Sequence, residues 1–176
     1  MKLIVIGAGP GGYETALLAA QRGAEVVLIE SGRVGGTCLN EGCIPTKAFC
    51  RSAEMLEELR RAGEFGVTGL DCGFDFGVAA ARKDAVVDRL REGVEALLKR
   101  PGLTLVHGRA SFVDSHTVRV TPAEPACGAS GAAASGEAAS APGAEAGVAC
   151  DAGAAPAGEN VFTADAVIIA TGSRPS

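Results

Sequence analysis

Cys38 and Cys43 stand five positions apart in the stretch GGTCLNEGCIPTK, residues 35–47, which ends on Lys47. Two thiols at that spacing can serve as buried small hydrophobes, as metal ligands or as a redox pair. Zinc sites use C-x2-C pairs or add histidines, but the sequence has no C-x2-C and only His107 and His116. A plant-type iron–sulfur site needs C-x4-C-x2-C, and only Pro45 and Thr46 follow at that distance. Metal is disfavoured and redox chemistry is favoured.

Residues five apart in a regular α-helix have Cα atoms roughly 8 to 9 Å from each other, beyond the ~7 Å a disulfide can bridge. A Cys38–Cys43 bond therefore requires a distorted turn, which Gly42 and Pro45 permit, and a strained bond is more easily reduced. A helix start and the Lys47 ammonium are expected to lower a thiolate pKa and so favour exchange. Cys50 and Cys72 read as plain thiols, and Cys127 and Cys150 lie in a low-complexity tract; none of the four is assigned a role.

The second chemical group is Gly7, Gly9 and Gly12 in GAGPGG, a G-x-G-x-x-G pattern. It follows an apolar run, Leu3 to Ile6, and opens a helical pattern; Glu30 closes the next apolar run, Glu25 to Ile29. That context is the one in which such a loop holds a dinucleotide. Gly7 allows the tight turn, Gly9 the approach of a pyrophosphate, and Gly12 close helix-on-strand packing. The helix N-terminus offers amide N–H groups and a positive dipole end, and the Glu30 carboxylate can accept from a ribose diol. The competing reading is a glycine-rich turn without a ligand.

The elements that must position these groups follow from periodicity. The first thirty residues make one βαβ unit, which implies a parallel sheet. Residues 37–64 are helix-compatible apart from Gly42 and Pro45, with an exposed amphipathic face from Ser52 to Arg61. A second helix is predicted from about Phe76 to Lys99, with Val86, Val87, Leu90, Val94, Leu97 and Leu98 on one stripe. A strand at Leu103 to His107 and a small antiparallel meander at 109–113 and 117–121 come next. From Ala123 to Glu159 the chain is almost all Ala, Gly, Ser, Pro and Glu, and is expected to be a disordered insertion in a hairpin. Structure is expected again at Asn160 to Thr163 and in a buried strand at Ala166 to Ala170.

Composition bounds the function. The 176 residues suffice for one domain with a core. A formal charge of -5 without a basic run excludes a nucleic-acid partner. No apolar stretch suits a signal peptide or a bilayer span, so the expectation is a soluble, cytoplasmic protein whose thiols are kept reduced.

The glycine loop followed at once by GGTCLNEGCIPTK, then HGRASF at 107–112 and VIIATGSRP at 167–175, resembles the pyridine nucleotide-disulfide oxidoreductases. These flavoenzymes include dihydrolipoamide dehydrogenase, glutathione reductase and mercuric reductase. Leu39, Ile44 and Thr46 lean toward the lipoamide enzymes. The resemblance implies that the nucleotide is FAD, with NAD as co-substrate of the full-length enzyme. It implies that Gly7, Gly9 and Gly12 hold the pyrophosphate, with Pro10, Gly36, Thr37 and Ser173 also at the cofactor. Glu30 would hold the adenosine ribose and the backbone near Ala110 the adenine. Lys47 would lie near the isoalloxazine, with Thr171 and Gly172 lining the flavin side. Cys43 would contact the flavin and Cys38 would exchange with a lipoyl-bearing protein or a small thiol or disulfide substrate.

The implied fold is α/β: a doubly wound, mainly parallel Rossmann-like FAD-binding sheet with a small antiparallel meander. Residues 1–176 would be the N-terminal part of that domain, interrupted by the 123–159 insert. The NAD domain, the segment returning to complete the FAD domain and the interface domain of the family have no counterpart in these residues. The full-length enzyme is expected to be a homodimer, and the chain alone is expected not to turn over. Two alternatives are another disulfide reductase of the family and a non-catalytic nucleotide-binding or thiol-sensing module.

Overall fold

The computed structural model describes residues 1–69, 71–122 and 160–173. The expected 123–159 insertion lies outside the described residues. Strand β1 (Lys2–Ile6) leads through helix α1 (Pro10–Gln21) to β2 (Glu25–Glu30). Helices α2 (Gly36–Asn40), α3 (Cys43–Arg60) and α4 (Phe76–Leu98) then cross to β3 (Leu103–His107). Strands β4 (Arg109–Phe112), β5 (Thr117–Thr121), β6 (Asn160–Thr163) and β7 (Ala166–Ile169) complete the order.

Strands β3, β2, β1 and β7 form a four-stranded sheet in that order, with every pair parallel. The strands read as near-continuous apolar runs because both faces of the sheet are covered. Leu3, Val5, Val26 and Leu28 point to one face and pack with Ala16 of α1 and Val87, Val94 and Leu98 of α4. Ile4 and Ile29 point to the other and pack with Val118 and Val120 of β5 and with Ala164. That second face is covered by an antiparallel sheet, β4-β5-β6, where a fully doubly wound sheet would carry helices. Strands β5 and β6, which flank the 123–159 tract, pair with each other, as a hairpin requires.

Two sequence expectations change. The helical stretch breaks at Glu41–Gly42 and again at Arg61, after which a 3-10 turn covers Ala62–Phe65, while Pro45 sits in the first turn of α3. The N–H that proline lacks would have had no intrahelical partner there, so it costs nothing. On α4 the apolar stripe splits: Val87, Val94 and Leu98 are buried, whereas Leu90 and Leu97 are exposed.

The strand order reverses at β1. The chain steps from β1 to β2 to β3 on one side and returns to β7 on the other. In open parallel sheets the crevice for a ligand lies at such a switch point, beyond the carboxyl ends of the strands. Gly7 and Thr171, which follow β1 and β7, stand there.

Candidate functional site

The glycine loop is shaped by contacts that leave no room for side chains. Gly7 has φ +102°, and a Cβ on it would lie 2.3 Å from the carbonyl oxygen of Ala170 and 3.2 Å from the Cα of Thr171. A Cβ on Gly12 would lie 1.7 Å from the carbonyl oxygen of Gly7, so α1 rests directly on the end of β1. Gly9 meets only the Cα of Gly36, at 3.8 Å, and Gly11 meets nothing within 4 Å. The protein's own packing therefore requires glycine at 7 and 12, and leaves the side of positions 9 and 11 open.

Helix α1 starts with Gly9 as N-cap and Pro10 in its first turn, with no side-chain cap and no acidic residue there. The helix thus supplies no acid of its own to its positive end, where an anion can bind. Glu30, half-buried at the end of β2, accepts the N–H of Ala8 at 2.6 Å and that of Gly32 at 2.8 Å. Its backbone carbonyl accepts the N–H of Gly108 at 2.9 Å. Glu30 thus joins the glycine loop to the β3–β4 crossover, and Ala110 follows two residues later on the edge strand β4.

The cysteine-bearing segment docks on this loop. Gly35 donates its N–H to the carbonyl of Ala8 at 2.8 Å. Gly36 approaches so closely that a Cβ on it would stand 2.8 Å from the Cα of Gly9. Positive φ angles at Gly35 (+97°) and Gly36 (+59°) turn the chain into α2. At the far end of α2 the Thr37 carbonyl accepts both Glu41 N–H, at 2.9 Å, and Gly42 N–H, at 2.7 Å, which ends the helix.

The break at Gly42 brings Cys38 onto the start of α3. Both cysteines are free thiols, Cys38 half-buried and Cys43 exposed. Cys43, through its thiol and its backbone N–H, is the neighbour that acts most on Cys38. The Cys38 pKa is raised, first by the hydrogen bond with the Cys43 thiol, then by desolvation and by the Cys43 charge; the Cys43 N–H and Lys47 pull the other way. The lowering expected of a thiolate in this motif therefore does not hold for Cys38, where the neighbouring sulfur outweighs a helix start and a lysine on an exposed turn.

Thr171, Gly172 and Ser173 follow β7 without regular secondary structure, and Gly172 turns the chain with φ +69°. Gly7, Gly9, Pro10, Gly12, Glu30, Gly36, Thr37 and Thr171 therefore gather at the carboxyl end of the parallel sheet, with Cys38, Cys43 and Lys47 joined to them through Gly35 and Gly36. Ala110 stands apart on the second sheet and reaches the group through Gly108 and Glu30.

Sequence reading missed three members. Gly108 has no room for a Cβ, which would sit 2.4 Å from Val120 Cγ1 and 2.5 Å from the Thr121 carbonyl oxygen. Tyr13 of α1 has its pKa raised by desolvation, by the Glu14 carboxylate it contacts at 3.4 Å, and by the charge of Cys38. Arg91 of α4 donates to Asn40 Oδ1 at 3.3 Å. Only the Gly in HGRASF carried a sequence signal.

Among the described residues no group of three or more His, Cys, Asp and Glu assembles, and His116 Nδ1 pairs with the Ala164 carbonyl at 3.1 Å. No helix among the described residues is long and apolar enough to cross a membrane. Two open grooves, of about 550 and 430 Å³, flank the outer part of α3 and are lined by neither the glycine loop nor the cysteines.

A glycine loop open at positions 9 and 11 thus packs against a close pair of thiols. The family model described as pyridine nucleotide-disulphide oxidoreductase matches residues 1–176, and the chain belongs to that family. It is 44% identical over 117 residues to dihydrolipoyl dehydrogenase of Chlamydia muridarum, covering 66% of this chain and 25% of that protein. It is 44% identical over 120 residues to dihydrolipoyl dehydrogenase of Acholeplasma laidlawii, covering 68% and 36%. Its fold is similar to that of LpdA from Mycobacterium tuberculosis, with a TM-score of 0.74 at 24% identity, covering 100% of this chain and 32% of the other. The HOCl-induced flavoprotein disulfide reductase RclA from Escherichia coli gives a TM-score of 0.66 at 24% identity, covering 100% and 29%. The chain thus spans about a quarter to a third of the length of these relatives.

Proposed function

We propose that residues 1–176 are the FAD-binding, disulfide-bearing part of a dihydrolipoyl dehydrogenase-like oxidoreductase of the cytoplasm, acting in a homodimer with NAD as co-substrate. The observation that carries this reading is the backbone contact of Gly36 on Gly9, which puts the wall of a pyrophosphate cradle and the thiol pair on one surface. The residues fit FAD: the flank of Gly9 and Gly11 is open, the start of α1 is uncapped and without acid, and Glu30 is pinned where the second strand ends. FAD supplies the two-electron carrier between the thiol pair and the pyridine nucleotide.

The chain's residues do the rest. The α1 N-terminus, with Gly7, Gly9, Pro10 and Gly12, holds the pyrophosphate, and Glu30 orients the ribose. Gly36, Thr37, Lys47, Thr171, Gly172 and Ser173 line the flavin side, and the backbone near Ala110 takes the adenine. Starting from the disulfide, a dihydrolipoyl thiolate attacks Cys38 Sγ, and the Cys38–Cys43 bond breaks with Cys43 leaving as thiolate. The second substrate thiol then closes on the first substrate sulfur and expels Cys38, so the substrate ends as a cyclic disulfide and both cysteines are reduced. Leu39, Ile44 and Thr46, together with relatives named dihydrolipoyl dehydrogenase, support the lipoyl substrate.

The test is an absorption spectrum of the protein with FAD, before and after one equivalent of dithiothreitol. Flavin bands with a long-wavelength shoulder on reduction are expected. A protein that stays colourless with FAD added overturns the cofactor assignment. The 176 residues alone are expected to give no steady NADH-dependent reduction of lipoamide in a coupled assay.

A further inference from the structure

Asn40 closes the cysteine-bearing loop on itself. Its Nδ2 donates to the carbonyl of Val34 at 3.0 Å and to that of Gly36 at 2.9 Å, so one side chain ties the end of α2 to the turn that precedes it. Its Oδ1 accepts from Arg91 Nη1 at 3.3 Å, a bond from α4 that spans 51 positions of sequence. The same guanidinium is paired with Asp88 on α4, and the Arg91 side chain is only 22% exposed. An arginine can only donate. It therefore fixes which end of the Asn40 amide faces it, and so leaves the NH2 group to the two carbonyls.

We propose that the chain Asp88–Arg91–Asn40 is a positioning device for the thiol pair, which keeps residues 34–40 ordered around Cys38 and so favours the Cys38–Cys43 disulfide over the two thiols. The inference rests on the reading of Cys38 and Cys43 as a redox pair. Closing a bond between two points of a flexible loop costs conformational entropy. Where the loop is already ordered in the dithiol, that cost has been met before the bond forms. If the device is removed, the dithiol gains freedom that the closed disulfide does not, and the equilibrium moves toward the thiols.

The experiment equilibrates the full-length protein with mixtures of reduced and oxidised dithiothreitol, alkylates the remaining thiols and quantifies the peptides by mass spectrometry. In the oxidation, Cys38 and Cys43 lose two protons and two electrons as their S–S bond forms. The S–S bond of the cyclic dithiothreitol breaks and takes them up as two thiols. Arg91→Ala is expected to lower the disulfide-to-dithiol constant about tenfold, a shift of about 30 mV for a two-electron couple. Arg91→Lys, which still donates to Oδ1, is expected to restore the constant to within about threefold. An Arg91→Ala constant within about twofold of wild type, with only the melting temperature reduced, overturns the proposal. If Arg91→Ala does not fold, Asp88→Asn decides: a fall in the constant supports the device, and an unchanged constant overturns it. A wild-type protein that forms no Cys38–Cys43 disulfide at any ratio would instead remove the redox pair itself.

Discussion

Gly12 lies on the Gly7 carbonyl so closely that a Cβ would stand 1.7 Å from the oxygen, whereas a Cβ on Gly11, its neighbour in α1, would meet nothing within 4 Å. Gly12→Ala forces α1 away from β1 and opens the sheet at its switch point. Its expected cost is about 4 kcal/mol or more, in the range reserved for severe steric or core defects. Gly11→Ala is expected to leave stability unchanged or raise it by up to about 1 kcal/mol, because alanine is the better helix former. Chemical denaturation of the two variants checks the contrast, and equal losses in both would refute it.

The Glu30 carboxylate is held by two backbone donors, Ala8 at 2.6 Å and Gly32 at 2.8 Å. Glu30→Gln keeps the shape but removes the charge and leaves one oxygen to accept. Hydrogen bonds to charged groups contribute about 1.5–3 kcal/mol, so a loss of about 1–2 kcal/mol in unfolding free energy is expected. Flavin affinity, read by fluorescence titration, is expected to fall about tenfold, since a side chain that keeps one of its two anchors no longer orients the ribose. Unchanged stability and affinity would show that these two bonds contribute nothing.

The parallel strands were legible because Leu3 to Ile6 and Val26 to Ile29 are buried on both faces and so read as unbroken apolar runs. The glycine loop was legible because the backbone contacts at Gly7 and Gly12 admit no other residue. The site of the helix break was not, since proline disrupts a helix interior but is tolerated in a first turn, and the sequence does not say which of Gly42 and Pro45 falls where. The apolar stripe of α4 gave no hint that Leu90 and Leu97 would face solvent, because periodicity marks a face but not how much of it finds a partner. The Asn40–Arg91 bond joins segments 51 residues apart and has no local signature at all. The direction of the Cys38 shift was not legible because local sequence shows a helix start and Lys47, while the dominant neighbour, the Cys43 thiol, is set by the turn between them.

Asp75 caps α4 by accepting the N–H of Val78 at 3.1 Å. Helix α4 carries Arg91 in its C-terminal half and buries Val87, Val94 and Leu98 against the sheet and α1. Asp75→Ala is expected to cost about 1 kcal/mol, as for other N-cap losses, and Asp75→Asn to recover most of it. Thermal unfolding of both variants checks this, and an Asp75→Asn protein no more stable than Asp75→Ala would contradict a capping role.

Cys38 is the thiol whose reactivity reports its partner. Its raised pKa comes first from the hydrogen bond with the Cys43 side chain. In the reduced protein the rate of Cys38 alkylation by iodoacetamide, which requires the thiolate, is therefore expected to reach half its maximum at a pH above the ordinary thiol range. Cys43→Ala removes the largest cause and should move that midpoint down, whereas Lys47→Met removes an opposing charge and should move it up. The linkage to stability has the same sign. A group that holds its proton more tightly when folded stabilises the fold fully below its unfolded pKa, and the contribution disappears as pH rises through the folded value. The reduced wild-type protein should therefore lose stability on going alkaline through that window more steeply than Cys43→Ala does. Mass-resolved alkylation rates and unfolding midpoints across the same pH series test both statements. A Cys38 midpoint at or below the ordinary thiol value would mean that the helix start and Lys47, and not the neighbouring sulfur, govern the pair.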